Sequence, residues 1–268
     1  MISSTKRRNN SLKRVEINEI RQRLRRWYKS SLGRTLLAQE SEQLDAVLNT
    51  LFGYHAVQVG FLVGNDLLAS SRIPHQVVMD PAQGDDLPIH LFAYPDALPI
   101  QSDTIDMVIL PHTLEFERTP HEILREVDRV LIPEGHVVVL GFNPWSMWGL
   151  VGWFRKRTKK AMPPWCGCFL SLPRIKDWLA LLGFDIVHEE TFFFRPPVKQ
   201  VRIMKRLSFL ERLGKRYWKG FGGAYVLVAR KRVTTLTPIK PRWRPRRSLV
   251  GKLVEPAARR RSESKNDA

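Results

Sequence analysis

The stretch Tyr94–Pro144 constrains the fold most. It reads YPDALPIQSDTIDMVILPHTLEFERTPHEILREVDRVLIPEGHVVVLGFNP. This pattern predicts a loop, a buried strand, a short connection, an amphipathic helix, a Pro-x-Gly turn and a second buried strand. The strand candidates, 104–110 and 135–142, are apolar runs rich in Val and Ile, which suits strands covered on both faces. The helix candidate, 119–131, sets Ile123, Leu124, Val127, Val130 and Leu131 on one face. Thr119 reads as its N-cap, Pro120 as its first helical residue and Glu122 as the acid three positions after the cap. Pro133 and Gly135 end it. Strand, helix and strand in this order make a βαβ unit of a parallel sheet. Polar residues gather at the carboxyl end of the first strand, where open α/β sheets bind ligands.

The same alternation extends along the chain. Helices are expected from about Val15, with Ile17, Ile20, Leu24 and Trp27 at helical spacing, and again after Gly33 through Phe52, with Gly53 as the stop. Further strand candidates are 55–60, 75–80, 89–94, 184–190 and 223–231, and a further helix spans 172–183 and closes on Gly183. Strands alternating with helices predict a doubly wound α/β domain with a mostly parallel sheet. Its bounds are expected at 15–230, with a ligand-binding core at 55–142. Residues 1–14 read as a basic disordered arm, and 231–268 as a basic Pro/Arg-rich tail.

Charge is unevenly placed along the 268 residues. Residues 1–34 hold 11 Lys/Arg against 2 Asp/Glu, while 35–150 hold 4 against 16. The balance reverses again, to 17 against 5 in 151–230 and 12 against 3 in 231–268. An acidic middle suits a cationic ligand. Basic flanks either attract a polyanion, RNA or anionic lipid, or serve solubility alone. No apolar run is long enough to suggest a transmembrane helix, and the basic N-terminus lacks a secretory apolar region. Cys166 and Cys168, one residue apart, give no disulfide framework and no metal-ligand spacing with a histidine. No metal site is expected, and a reducing cytoplasm is the natural setting.

Gly60 and Gly64 follow the first strand and suit a turn that brings backbone close to a ligand; they also suit an ordinary strand-to-helix turn. Asp80 ends the second strand, where an acid either receives ribose hydroxyls or opens a turn before Pro81. Taken together, the Gly turn, Asp80, DALPI, DTIDMVIL, HTLEF, REVDRVL and the PEG before VVVL resemble the class I S-adenosylmethionine-dependent methyltransferases, type 11 group. The resemblance covers about Val57 to Gly141, and GFNPWSMWG (141–149) resembles a proteobacterial branch of that group.

The resemblance implies a seven-stranded, Rossmann-like sheet whose last strand runs antiparallel, with S-adenosylmethionine as cofactor. It places Gly60 and Gly64 in the cofactor loop, Asp80 on the ribose, and Asp96, Ala97 and Leu98 beside the adenine. His112 falls near the sulfonium and is the candidate general base, with packing at the strand end as its other reading. A carbonyl or an aromatic face, such as Phe61 or Tyr94, would hold the sulfonium. Asn143 and Trp145 fall in the loop that borders the acceptor. Gln58 replaces the usual Asp, Leu62 the middle glycine, and Tyr94 the usual acid before the adenine loop. These departures leave a second reading open: the same fold, catalytically degenerate, acting as a basic nucleic-acid- or partner-binding module.

Overall fold

The structure, a computed structural model, describes residues 17–62, 67–82, 88–157, 162–197, 207, 209–218 and 220–232. The chain divides into the units Met1–Val233 and Thr234–Ala268. The expected arm at 1–14, Gly64 and the tail beyond Arg232 lie outside the described residues.

Two helices lead the fold, residues 17–28 (α1) and Ser31–Leu48 (α2). Ser30 caps α2, its Oγ accepting the Gly33 N–H at 3.2 Å. Then follow β1 (His55–Val59), β2 (His75–Met79), β3 (Ile105–Pro111), α3 (Pro120–Val130) and β4 (Leu131–Phe142). After these come α4 (Met147–Arg157), α5 (Leu172–Leu181), β5 (Phe184–Phe192), α6 (Phe209–Tyr217) and β6 (Ala224–Lys231). The six strands form one sheet in the order β2-β1-β3-β4-β6-β5. β2, β1, β3 and β4 pair in parallel, and β6 runs antiparallel between β4 and β5.

Alternate residues of each strand feed two apolar layers. Val138, Leu140 and Phe142 of β4 join α1 and α2 on one face; Val137 and Val139 join α3 and α5 on the other. Each fully buried Val or Leu side chain contributes about 1.5–3 kcal/mol.

Two local expectations are corrected. The run 89–94 forms no strand and contributes only isolated bridges, Met79↔Leu91 and Tyr94↔Ala97. Its His90 ring accepts the Val78 N–H at 3.0 Å, so a side chain terminates the edge of β2 where a strand would continue it. Thr119 precedes α3 without a side-chain capping bond, and Pro120 with Glu122 alone marks that start.

Candidate cofactor site

The strand order turns back at β1, which lies between β2 and β3. Such a switch point opens a crevice at the carboxyl ends of the strands. Gly60 sits there at φ +101°, and a Cβ on it would stand 2.7 Å from Thr113 Oγ1. Only glycine suits both the left-handed backbone and the close approach. Thr113 Oγ1 donates to Val59 O at 2.5 Å and locks the end of β1 to the loop after β3.

The departures at this turn have structural answers. Gln58 Nε2 donates to Gly60 O at 2.9 Å and braces the turn from within. Leu62 is buried in the apolar layer shared with α1 and α2, so its bulk is absorbed by the core.

Asp80, fully buried just beyond β2, faces this turn. Its Oδ2 accepts the Phe61 N–H at 2.8 Å, and its Oδ1 accepts the Ala82 N–H at 2.8 Å. Two guanidinium groups from α1 complete its shell. Arg25 Nη2 donates to Oδ1 at 2.6 Å and Arg21 Nη1 to Oδ2 at 3.4 Å. Arg25 also donates through Nε to Phe61 O at 3.0 Å, and its guanidinium lies 5.9 Å from the Phe61 ring centroid. The cation on the Phe61 face is thus one of the chain's own.

Arg21 reaches Glu117 as well, at 3.1 Å. Burial pushes the Glu117 carboxyl up, Arg21 opposes that, and the charges of Asp96 and Asp80 add to the rise. Those three acids therefore share one electrostatic neighbourhood. Beside it, Leu98 N donates to Glu126 Oε2 at 3.1 Å, and Arg129 Nη2 donates to Leu98 O at 2.9 Å, which fixes the loop of Asp96, Ala97 and Leu98.

His112, at φ +50°, turns its ring away from the crevice into a buried network. Its Nδ1 lies 2.9 Å from Glu115 Oε2 and its Nε2 2.9 Å from Glu40 Oε1. Tyr28 Oη donates to the same Glu40 oxygen at 3.1 Å, and Glu115 accepts the Phe142 N–H. Burial would lower the His112 pKa, but the carboxylates of Glu115 and Glu40 overrule it and push it up to about 10. At neutral pH the ring keeps its proton and has no free nitrogen. That arrangement fits the other sequence reading of His112, a packed and hydrogen-bonded residue at the strand end, here joining α2 to the loop after β3.

Asn143 is also committed. Its Nδ2 donates to Gly220 O at 2.6 Å and its Oδ1 accepts the Trp145 N–H at 3.0 Å, so its amide fastens a loop and is not presented to an acceptor. Trp145 is 70% exposed. Nearby, a cleft of about 170 Å³ is lined by Pro144, Gly152, Trp153, Trp165 and Phe169, among others, and Phe169 stacks on Phe142 at 5.0 Å.

The family described as "Methyltransferase domain" matches residues 75–139, which span β2 through most of β4. YafS, an uncharacterized protein of Escherichia coli (strain K12), is 34% identical over 203 residues, covering 74% of this chain and 78% of the relative. The chain belongs to the class I S-adenosylmethionine-dependent methyltransferases, type 11 group.

Among solved structures, a S-adenosylmethionine-dependent methyltransferase from Thermotoga maritima matches at TM-score 0.51 and 19% identity, covering 71% of this chain and 88% of that one. A chain of the complex containing the Haloferax volcanii Trm112 methyltransferase activator matches at TM-score 0.53 and 15% identity, covering 80% and 98%. At these identities the two structures establish the fold.

The methyltransferase uses S-adenosylmethionine as cofactor, and the residues present fit it once Asp80 is freed from Arg21 and Arg25. Gly60 leaves room where a Cβ would intrude, and Asp80 presents a carboxylate against that turn. Sequence reading missed Arg21, Arg25, Glu40 and Glu117. A signal existed for the arginines: 21, 24, 25 and 28 fall on one helical face, and Leu24 and Tyr28 mark that face as buried.

Proposed function

We propose that this methyltransferase binds S-adenosylmethionine at the β1/β3 switch point. Asp80 receives the ribose hydroxyls, Gly60 and Gly64 line the loop, and Asp96, Ala97 and Leu98 flank the adenine. One observation carries this reading: Asp80 is held against the glycine turn by Phe61 N–H while α1 guanidinium groups occupy its remaining acceptor positions. An ionised carboxylate offers about four acceptor positions, and Phe61, Ala82, Arg21 and Arg25 fill them. The arginines must therefore withdraw before ribose hydroxyls can take their place.

Bound there, the cofactor supplies a methyl group on a cationic sulfur. Asp80, Asp96 and Glu117 balance positive charge in that neighbourhood. The chain otherwise aligns donor and acceptor and excludes water, which supplies on the order of 7–11 kcal/mol of a barrier. His112 positions the loop after β3 and does not take the acceptor's proton. Trp145 is left as the acceptor contact.

We also infer that the basic segments meet an anionic partner, RNA or lipid. The protein works in the cytoplasm, where the free thiols of Cys166 and Cys168 stay reduced. No helix among the described residues is long and apolar enough to cross a membrane.

Calorimetric titration of the full chain with S-adenosylmethionine and S-adenosylhomocysteine tests the cofactor site. Wild type is expected to bind weakly, and the Arg21→Ala/Arg25→Ala variant at least about tenfold more tightly, because the closed state no longer competes. Adding Asp80→Ala should abolish the gain. No binding by any of the three proteins would overturn the site and favour the catalytically degenerate reading.

A further inference from the structure

Helix α4 carries its apolar face outward. Met147, Leu150, Trp153 and Phe154 are each 55–57% exposed, while Trp148 and Gly152 point into the fold. Positions 147, 150, 153 and 154 lie on one side at 3.6 residues per turn. An ordinary surface helix shows polar residues there. Trp145, in the turn just before α4, is exposed as well.

The C-terminal turn supplies positive charge through Arg155, Lys156 and Arg157, and the sequence continues with Lys159 and Lys160. Arg157 sits 5.5 Å from the Trp153 ring centroid, so charge and aromatic surface are interleaved.

A second stretch repeats the pattern. Phe209, Leu213 and Tyr217 of α6 are exposed at four-residue spacing, with Arg212 and Arg216 beside them. Trp218 and Phe221 follow, 50% and 63% exposed. The bond from Asn143 to Gly220 O ties the loop before α4 to the loop after α6, which sets Trp145 and Phe221 on adjoining loops.

We propose that this face, centred on α4, docks the protein on an anionic lipid bilayer. The proposal rests on the reading that the basic segments meet an anionic partner, and it names that partner. Amphipathic helices with Trp, Phe and Leu on one face and basic residues beside them lie in the bilayer interface, where apolar burial and attraction to anionic headgroups act together. RNA fits this surface less well. Aromatic rings stack on bases, but the aliphatic Met147 and Leu150 between them meet no apolar partner on a nucleic acid.

Co-sedimentation of the full chain with vesicles tests the proposal. Phosphatidylglycerol mixed into phosphatidylcholine is compared with phosphatidylcholine alone, and single-stranded RNA is titrated in parallel. The expected result is binding to the anionic vesicles only, weakened by salt, with a blue shift of tryptophan fluorescence. Trp153→Ser/Phe154→Ser should lower the bound fraction by about tenfold or more, and Arg157→Glu should lower it further on the same vesicles. Both changes fall on exposed positions.

RNA binding without vesicle binding would overturn the bilayer and leave the anionic-partner reading standing. Binding to neither would sink both. Self-association that the Trp153→Ser/Phe154→Ser variant abolishes, without vesicle binding, would reassign the face to a second copy of the chain.

Discussion

Helices α1 and α4 both depart from the ordinary amphipathic arrangement, in opposite senses. α1 turns two arginines, Arg21 and Arg25, into the fold beside Leu24 and Tyr28. α4 turns Met147, Leu150, Trp153 and Phe154 out of it. The difference lies in what each face meets. The inward face of α1 meets Asp80, Glu117 and, through Tyr28, Glu40, so its charges are paired and hydrogen-bonded. Buried charge is tolerated on those terms alone. The outward face of α4 stays more than half exposed, and its apolar area points to a surface outside the molecule. A buried cation thus marks a site inside the fold, and an exposed aromatic face marks one outside it.

The strongest way to break the buried half of this comparison is to remove one carboxylate from the network joining α1 and α2 to the strand ends. Glu40→Ala leaves the buried His112 cation with Glu115 alone and removes the acceptor of Tyr28. Unfolding in urea should show a loss of about 3–5 kcal/mol, the usual cost of breaking a buried ion pair. A loss below about 1 kcal/mol would mean that the network does not hold α1 and α2 in place.

A gentler perturbation is pH. His112 is raised from 6.5 to about 10 by its two carboxylates. A raised folded-state pKa gives stability that is fully present below the unfolded value and is lost as pH rises through the folded one. The melting temperature should therefore fall from about pH 7 toward about pH 10.5, with the loss steepest between the two pKa values and flattening above about pH 10. His112→Gln should begin from a lower melting temperature and show a flatter profile. An unchanged slope in that variant would assign the alkaline loss to other groups.

The smallest effect belongs to the exposed half. Trp153→Ser/Phe154→Ser should change unfolding free energy by no more than about 0.5 kcal/mol per position, as surface changes usually do. A larger loss would show that α4 leans on these rings for its own packing and would weaken the contrast with α1.

Much of the fold was legible because its signals are local. The apolar runs at 55–60, 75–80, 104–110, 135–142, 184–190 and 223–231 match β1 to β6 within a few residues, and the 119–131 and 172–183 periodicities match α3 and α5. Where local signals failed, a tertiary contact had taken over. Residues 89–94 have the composition of a strand, yet His90 uses its ring to end the β2 edge. No expected helix covered α4, because its apolar residues fall on both its inward and its outward side and give little periodic signal.

The site divides in the same way. Gly60 and Asp80 could be singled out as candidates because a left-handed turn and a strand-end acid leave marks in the sequence. The pairing of His112 with Glu40 joins residues 72 positions apart, and that of Arg25 with Asp80 joins residues 55 apart.

The sequence alone therefore determined the mostly parallel α/β sheet and the family. Hydrophobic period, glycine turns and strand-end acids act over a few residues, so they survive in one dimension. The tertiary structure alone decided that Asp80 is filled by guanidinium groups, that His112 is a buried cation and that α4 faces outward. Each of these is a balance between desolvation and pairing, and that balance exists only once the fold has chosen which distant groups share a dry interior.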